Sequence, residues 1–276
     1  MDETTYELYA LKYATNTRRS TRDSFLSQHD IHEGPLALDF FVWAAVHGDR
    51  VILIDSGADE STCRKRGHDF LQCPSEGLRA LGYHVEQVSD IVVTHMHWDH
   101  VGNFDKFPKA RFHIHPVEMA HATGPCMCHS HMRRPYDVEQ VCSMIRGLYG
   151  GRVGFSRTGQ VVAPGLSVHH MGGHTPGLQV VRVKTARGWV VLASDAMHYY
   201  ANATRNNPFP VLVDMGMYLD AHKEVLNLAD SPDHVVAGHD PIVMELYPPA
   251  NDSMHGAAVR LDVPPRFSTP LAESTA

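Results

Sequence analysis

The sequence His95-Met96-His97-Trp98-Asp99-His100 places four potential metal ligands within six residues. It directly follows the apolar run Ile91-Val92-Val93-Thr94 and leads into Val101-Gly102-Asn103. Imidazole nitrogens and carboxylate oxygens are the ligands that suit Zn²⁺ and neighbouring divalent ions. Because the ligands begin where an apolar run ends, the pattern indicates a metal-binding loop at the end of a buried strand.

The spacing of these ligands predicts two neighbouring metal positions. Alternate residues of an extended segment point the same way, so His95 and His97 could reach one ion together. Asp99 and His100 lie beyond the turn and could reach a second ion, since paired metals typically sit ~3.5–4 Å apart. The alternative is a chance run of exposed polar residues in a chain with 21 His among 276 residues. The adjacent Trp98 and the β-branched residues do not suit an exposed loop.

Composition and charge narrow the class of protein. The length allows one large domain or two smaller ones, and 43% hydrophobic residues are ample for a core. The net charge is −7 without a basic stripe, which disfavours nucleic-acid partners. No apolar run approaches the ~20 residues of a membrane span, and the polar start Met1-Asp2-Glu3-Thr4-Thr5 does not resemble a secretory leader. We therefore expect a cytoplasmic protein with no nucleic-acid or membrane partner.

The five cysteines do not suggest a disulfide framework, because their number is odd and no signal peptide precedes them. The segment Cys126-Met127-Cys128-His129-Ser130-His131 is a rival metal site. Its Cys-x-Cys spacing lacks the wider gap of structural zinc knuckles, and no second pair lies downstream. We interpret it as a mobile segment near the pocket.

Hydrophobic periodicity predicts hairpins at both ends of the chain, with mixed strands and helices between them. This order favours a layered sheet protein with helices outside. Residues 16–34 and 123–160 are interpreted as irregular segments, and residues from Pro248 as a tail that is on the surface or disordered. The predicted strands are Tyr6–Thr15, Leu36–Val46, Val51–Ile54, Ile91–Thr94, Ala110–His115, Val161–Met171, Leu178–Lys184, Trp189–Ala193 and His234–Ala237. The predicted helices are Ser75–Leu81, Pro116–Ala122 and Met217–Ala229.

Three further ligand candidates follow apolar runs beside Gly or Pro. His174 lies in Gly172-Gly173-His174-Thr175-Pro176-Gly177, Asp195 follows Val190–Ser194, and His239 lies in Ala237-Gly238-His239-Asp240-Pro241. Taken singly, each is more often a turn residue. Together with the first cluster they give the order His-x-His-x-Asp-His, His, Asp, His, which resembles the metallo-β-lactamase superfamily.

The resemblance implies an α/β (α+β) fold, the four-layer αββα sandwich, as one hydrolase domain over residues 1–247 with a Pro-rich tail over 248–276. Asp55 matches a position that orients a ligand His or braces the metal loop. The resemblance also implies that His95, His97 and His174 hold a first ion. Asp99, His100 and His239 would hold a second ion, and Asp195 would bridge both. This donor set suits two Zn²⁺, with Mn, Fe or Co as alternatives. His97 stands where the redox di-iron branch has a carboxylate, so a hydrolytic site is implied.

Within the superfamily the chain most resembles the N-acyl homoserine lactonase family, through Asp195-Ala196-Met197-His198-Tyr199-Tyr200 and the loop around His239. The resemblance implies a zinc-dependent, quorum-quenching lactonase. It would open acyl homoserine lactones or related lactones by attack of a metal-bridging hydroxide. Asp99 or Asp195 would relay a proton to the leaving group. Family lactonases place a Tyr three residues after the bridging Asp, where this chain has His198. Either Tyr199 or His198 contacts the substrate carbonyl, or these aromatic residues merely pack.

Several alternatives remain open at this point. A thioesterase of the glyoxalase II kind would need a basic C-terminal helical domain, which the Pro-rich tail does not supply. A β-lactamase is disfavoured because Asp195 stands where some β-lactamases place a Cys. The acidic net charge disfavours a nuclease. A non-enzymatic metal-binding protein does not explain the full ligand set. Members of the lactonase family are often dimers, so a homodimer is an option by analogy.

Overall fold

The computed structural model describes residues 4–28 and 32–275. The strands in these residues are β1 Glu7–Asn16, β2 Leu38–His47, β3 Arg50–Ile54, β4 Asp69–Phe70, β5 Val88–Val92, β6 Arg111–Ile114, β7 Val153–Phe155, β8 Gln160–Ala163, β9 Leu166–His170, β10 Gln179–Thr185, β11 Gly188–Leu192, β12 Val235–Val236 and β13 Ala258–Arg260. The α-helices are α1 Glu60–Lys65, α2 Pro74–Ala80, α3 Pro116–Ala122, α4 Ser130–Arg133, α5 Val138–Tyr149, α6 Tyr200–Thr204, α7 Met215–Leu228, α8 Val243–Leu246 and α9 Pro270–Thr275. Within the described ranges, no helix combines the length and apolar character that crossing a bilayer requires.

Two sheets form the centre of the fold. The first has the order β13-β1-β2-β3-β5-β6-β7, with β4 also pairing with β1, and the second has the order β12-β11-β10-β9-β8. Strands β1 to β3 are antiparallel, whereas β3, β5, β6 and β7 run parallel. The parallel strands β11 and β12 form one edge of the second sheet. The loops that follow β5, β9, β11 and β12 carry the candidate metal ligands.

Strand β2 is buried on both of its faces, which explains why helices cover the outside of the sheet. Phe40 and Val42 pack with residues of α2, α3 and α5 in one core, whereas Phe41 and Trp43 pack between the two sheets in a second core. Successive side chains of a strand point to opposite faces, so an apolar run such as Leu38–Val46 needs cover on both. Helix α7 contributes Ala221 and Val225 to the second core. The predicted four-layer αββα sandwich is confirmed.

Most predicted elements occur with ends shifted by a few residues. The hairpins β2–β3 and β10–β11 are antiparallel as predicted. The single strand predicted over Val161–Met171 is two antiparallel strands, β8 and β9, which turn at Pro164-Gly165. Helix α7 begins two residues before the predicted start, because the Asp214 side chain accepts a hydrogen bond from the backbone N–H of Met217 and caps it. The predicted loop over 16–34 includes residues 29–31, which lie outside the described residues.

The interpretation of residues 123–160 as irregular is wrong. This segment contains α4, β7 and the twelve-residue helix α5. Asp137 caps α5 by accepting hydrogen bonds from the backbone N–H groups of Glu139 and Gln140. Val141 and Met144 of α5 are buried at helical spacing. The Gly-, Cys- and Arg-rich flanks obscured this periodicity in the sequence.

The expectation of a surface tail after Pro248 is wrong for the residues that form β13. Tyr9 of β1 pairs with Arg260, and Leu11 pairs with Ala258, so β13 extends the first sheet at its edge. Val259 and Leu261 are buried in the core between the sheets. Three residues are too few to produce a period in the sequence, and only the pairing with β1 makes them a strand.

Candidate metal centre

The carboxylate of Asp55 stabilises the loop that follows β5, residues 93–103, by hydrogen bonds. Its Oδ1 accepts a hydrogen bond from the backbone N–H of Thr94 at 2.7 Å. Its Oδ2 accepts from the Thr94 hydroxyl at 2.9 Å and from Nδ1 of His100 at 2.7 Å. Burial raises the pKa of Asp55, and the neighbouring His100 opposes that rise. The predicted supporting role of Asp55 agrees with these contacts.

A second buried carboxylate, that of Glu118 in α3, joins two ligand-bearing loops. Its Oε1 accepts from the backbone N–H of Met96 at 2.9 Å, and its Oε2 accepts from the backbone N–H of Gly177 at 3.1 Å. A Cβ at Gly177 would lie 2.2 Å from the Glu118 nitrogen, so only Gly allows this approach. Sequence reasoning missed Glu118, because no local pattern distinguishes a buried Glu in a first helical turn from an exposed one.

The remaining ligands come from tight turns. Asp195 follows β11 beside Ser194, whose φ of 46° is left-handed. Gly238 precedes His239, and a Cβ there would lie 2.3 Å from the Ser194 carbonyl oxygen. The two turns can therefore touch only because one residue has no side chain. Gly beside a ligand His was the sequence signal for this site.

Asp195 lies at the centre of the cluster, with its two carboxylate oxygens facing different sets of imidazoles. Oδ2 lies 3.0 Å from Nε2 of His174 and 3.6 Å from Nε2 of His95. Oδ1 lies 3.1 Å from Nε2 of His100 and 3.0 Å from Nε2 of His239. This arrangement divides the ligands into the two sets that the family resemblance implies on either side of a bridging carboxylate.

The other two predicted ligands complete the two sets. Nδ1 of His97 lies 2.9 Å from Nε2 of His174. Oδ2 of Asp99 lies 3.5 Å from Nε2 of His100 and 3.8 Å from Nε2 of His239. Donor atoms within each of two groups lie within 4.8 Å of one another: His95, His97, His174 and Asp195; and Asp99, His100 and His239. Among the described residues, Cys126 and Cys128 join no such group.

Outer hydrogen bonds orient three of the imidazoles. Nδ1 of His174 donates to the Val211 carbonyl at 2.6 Å, and Nδ1 of His239 donates to the Asp39 carbonyl at 2.7 Å. Nδ1 of His100 donates to Asp55. Each of these bonds holds Nδ1–H outward and leaves the Nε2 lone pair facing the centre, as in protein metal sites.

The electrostatics of the centre fit bound cations. Burial lowers the pKa of His95 well below its ordinary value, so its imidazole is neutral and free to coordinate. Burial alone would lower the pKa of His100, but the carboxylates of Asp195, Asp99 and Asp55 raise it well above its ordinary value. Nε2 of His95 and Nε2 of His100 are buried without a hydrogen-bond partner. Buried carboxylates need positive charge nearby, and divalent cations between these nitrogens would supply it.

The two aromatic candidates after Asp195 occupy different places. His198 is buried, with Nε2 2.9 Å from Oδ2 of Asp195, and its ring stacks on Phe209 at 3.7 Å between centroids. The Tyr218 hydroxyl donates to its Nδ1 at 3.1 Å. Burial lowers the pKa of His198 to about 3, so the imidazole is neutral. The ionised carboxylate of Asp195 beside Nε2 can only accept a hydrogen bond, which assigns the remaining proton to Nε2. His198 also forms a third group of potential ligands with Asp195 and His239.

Tyr199 does not line the cavity at the centre. Its hydroxyl donates to the Ala37 carbonyl at 3.0 Å and lies 3.4 Å from the Ser24 hydroxyl. Tyr200 is also buried, and its hydroxyl donates to the Val235 carbonyl. The structure therefore brings His198 to the metal ligands and places the hydroxyls of both tyrosines on backbone carbonyls elsewhere.

Two adjoining cavities open onto the centre. The first is lined by Asp99, Asp195, His198 and His239 together with Arg19, Leu38, Phe40, His68, Trp98 and Phe209. The second is mainly apolar and is lined by Met132, Pro135, Tyr136, Pro210, Val211, Leu212 and Val213, with His121, His131 and Arg134. They share His97, His174, Pro135 and Val211. A substrate at the metal ligands could thus extend in two directions.

Comparison with known proteins agrees with this geometry. The family model of the metallo-beta-lactamase superfamily matches residues 39–239, more than half of the chain. The chain belongs to the metallo-beta-lactamase superfamily.

Individual relatives are more distant. A probable metallo-hydrolase of Mycobacterium tuberculosis is 26% identical over 182 residues, 59% of this chain and 57% of that protein. The N-acyl homoserine lactonase AiiB of Agrobacterium fabrum is 30% identical over 131 residues, 46% of this chain and 47% of that protein. The crystal structure of a quorum-quenching N-acyl homoserine lactone lactonase superposes with a TM-score of 0.70 at 23% identity, covering 87% of this chain and 94% of that one. The chain thus spans about half the length of the curated relatives it matches.

Proposed function

We propose that the protein is a dinuclear metal-dependent lactonase that opens N-acyl homoserine lactones or related lactones, with two Zn²⁺ as its cofactors. The observation that carries the proposal is the carboxylate of Asp195, which presents one oxygen to each of two sets of ligands. A homologue and a structural neighbour that are named as acyl homoserine lactonases support the choice of substrate. An all-nitrogen-and-oxygen donor set supports zinc.

Two bound cations would supply a hydroxide nucleophile near neutral pH and would polarise the substrate carbonyl. His95, His97 and His174 would hold one of them, Asp99, His100 and His239 the other, and Asp195 both. Other side chains that line the cavity would then be available to contact the substrate.

His198 is the side chain best placed to orient the substrate. The hydrogen bond from Tyr218 orients the His198 ring so that Nε2–H faces the metal ligands. The ring of Phe209, which stacks on the His198 ring, restricts its rotation. A neutral imidazole in this position would donate a hydrogen bond to the carbonyl oxygen of the lactone. We assign to Asp99, at the border of the cavity, the return of a proton to the leaving alkoxide.

The test is hydrolysis of a small panel by protein loaded with Zn²⁺. The panel holds short- and long-chain acyl homoserine lactones, a simple γ-lactone, S-lactoylglutathione and a β-lactam. Lactone turnover that disappears with a chelator and returns with Zn²⁺ is the expected result. Turnover of the thioester alone would replace the lactonase by a thioesterase of the glyoxalase II kind.

The site itself is tested by substitution at its centre. We expect Asp195→Ala to lose metal and activity together, because the bridging carboxylate is gone. Asp220→Ala, at an exposed residue of α7 outside the predicted ligand set, is the matched control and should retain metal. Unchanged activity in Asp195→Ala would contradict the dinuclear proposal.

A further inference from the structure

Three arginines near the start of the chain have different surroundings. They lie on residues 17–28, here called the entrance strap. Arg18 pairs with Asp69 at 2.9 Å, and Arg22 pairs with Glu33 at 3.0 Å, both at exposed positions. Arg19 forms no ion pair with any carboxylate of the described residues. Of these three guanidinium groups, that of Arg19 is therefore the one that forms no ion pair with a carboxylate of the described residues.

Arg19 lines the same cavity as the metal ligands. Its guanidinium carbon lies 5.3 Å from the centre of the Phe209 ring, the ring on which His198 stacks. One terminal nitrogen donates to the Asp23 carbonyl, while Nε is buried without a hydrogen-bond partner. Among the described residues that line this cavity, Arg19 is the sole Lys or Arg.

The strap holds the arginine in this position. The backbone carbonyl of Arg19 accepts a hydrogen bond from Leu36 N–H at 3.0 Å. The buried Asn202 donates to the Ser24 carbonyl, and Asn207 donates to the Ser27 carbonyl at 2.8 Å. Burial raises the pKa of Tyr199 to about 12, and the adjacent Arg19 opposes that rise. A long cationic side chain is thus anchored at its backbone and directed at an apolar ring beside the centre.

A guanidinium is suited to a carboxylate, which it can bind through two parallel hydrogen bonds, and a desolvated wall strengthens that pairing. We propose that Arg19 is a specificity-determining residue that binds a carboxylate on the substrate, so that the preferred substrate is an acidic lactone. This inference rests on the proposed lactonase function. Within that function it favours the related lactones that carry a carboxylate over N-acyl homoserine lactones, which carry none. The scissile carbonyl lies at the metal ligands, the carboxylate at Arg19, and any uncharged chain in the second, apolar cavity.

The experiment compares two lactones that differ in charge alone: γ-butyrolactone carrying a carboxylate on the ring carbon next to the ring oxygen, and its carboxamide. With Zn²⁺-loaded protein, we expect kcat/KM to be about 10- to 100-fold higher for the acid, the range of a charge-assisted hydrogen bond. Arg19→Gln should remove this preference, because kcat/KM for the acid falls about 10- to 100-fold more than kcat/KM for the carboxamide. Arg18→Gln, the control at a neighbouring exposed arginine, should keep it.

Two results would overturn the inference while the lactonase function stands. One is equal turnover of acid and carboxamide by the parent protein. The other is an equal loss on both substrates in Arg19→Gln, which would make Arg19 a structural part of the strap.

A second readout covers failure of the lactonase function itself. If no lactone is hydrolysed, thermal unfolding of the metal-free protein is measured with and without millimolar glutarate. Stabilisation of the parent and of Arg18→Gln, but not of Arg19→Gln, would support a carboxylate site at Arg19. The same shift in all three proteins, or none, would overturn it.

Discussion

The loop that carries the metal ligands and the entrance strap border the same cavity but are held in different ways. The loop is fixed by two buried carboxylates, Asp55 and Glu118, which accept hydrogen bonds from its backbone and from His100. The strap is fixed mainly by neutral contacts from Asn202 and Asn207 to its backbone carbonyls. Charged hydrogen bonds are roughly twice as strong as neutral ones. We therefore expect substitutions that remove these contacts to destabilise the metal loop more than the entrance strap.

The largest effect is expected where the loop loses its charged support. Asp55→Ala would leave two buried donors, the Thr94 backbone N–H and the His100 Nδ1–H, without their acceptor, at about 1–3 kcal/mol each. Ala also disfavours the left-handed backbone at this position, where φ is 63°. We expect loss of bound metal and a lower free energy of unfolding, measured by elemental analysis and denaturant titration. Asp55→Asn, which tolerates this φ and keeps one acceptor, should lie between the parent and Ala. Parental metal content in both variants would contradict the bracing role.

The next effect concerns the connection between two ligand loops. Glu118→Gln replaces one of two acceptor oxygens with a donor that faces the backbone N–H of Met96 or Gly177. We expect metal affinity to fall by about 10- to 100-fold, the range for outer partners of metal ligands. A competition titration with a chelator measures this. Glu86→Gln, at an exposed position, serves as the control, and equal affinity in both variants would remove Glu118 from the site.

Loosening the strap should separate the two regions. Asn202 is buried and donates to the carbonyls of Ser24 and Asn207. Asn202→Ala should cost about 1–3 kcal/mol of stability, since it leaves buried carbonyls unpaired. We expect faster proteolysis within residues 17–28 with metal affinity unchanged. Asn227→Ala on α7 is the matched control. A parallel loss of metal would show that strap and loop form one unit.

The smallest effect lies in β5, away from both regions. Burial alone would raise the pKa of Asp90, but hydrogen bonds from His113 and Arg50, each 2.8 Å, hold it below its ordinary value. The stability that Asp90 contributes is thus present above the unfolded pKa of ~3.9 and is lost as the pH falls through the lower folded pKa.

Asp90→Asn should therefore be less stable than the parent by about 1 kcal/mol at pH 7. The difference should shrink below pH ~4, where the unfolded carboxyl becomes protonated. Denaturant titrations at several pH values measure this, with Asp49→Asn in an exposed turn as the control. A constant difference across the pH range would rule out this linkage.

The same contrast explains what could be predicted from the sequence. The seven ligand candidates are of residue types that bind metals. The four in residues 95–100 were selected by their local pattern, whereas His174, Asp195 and His239 were selected by their order along the chain, which matches that of a known superfamily. Glu118 and Arg19 act through contacts with distant parts of the chain, and their local sequences resemble ordinary helix and loop sequences. Tyr199 shows the converse, because a position taken from a family resemblance did not indicate where its hydroxyl lies.

For the fold, strands with strong periodicity were predicted to within a few residues, as in β1 to β3. Helix α5 was missed although Asp137 and the buried Val141 and Met144 carry its signal, because the neighbouring residues disfavour a regular element. Strand β13 could not have been predicted locally, since it exists through pairing with β1.

That pairing has a consequence for synthesis on the ribosome. Strand β1 emerges long before Val259, which pairs with Ala10. Until then β1 has an unpaired edge of N–H and C=O groups, which invites pairing with other chains. The first sheet can be completed only after residues 258–260 have been made, and contacts between such distant segments of the chain slow folding. A nascent chain that stalls before residue 258 would therefore be prone to aggregation.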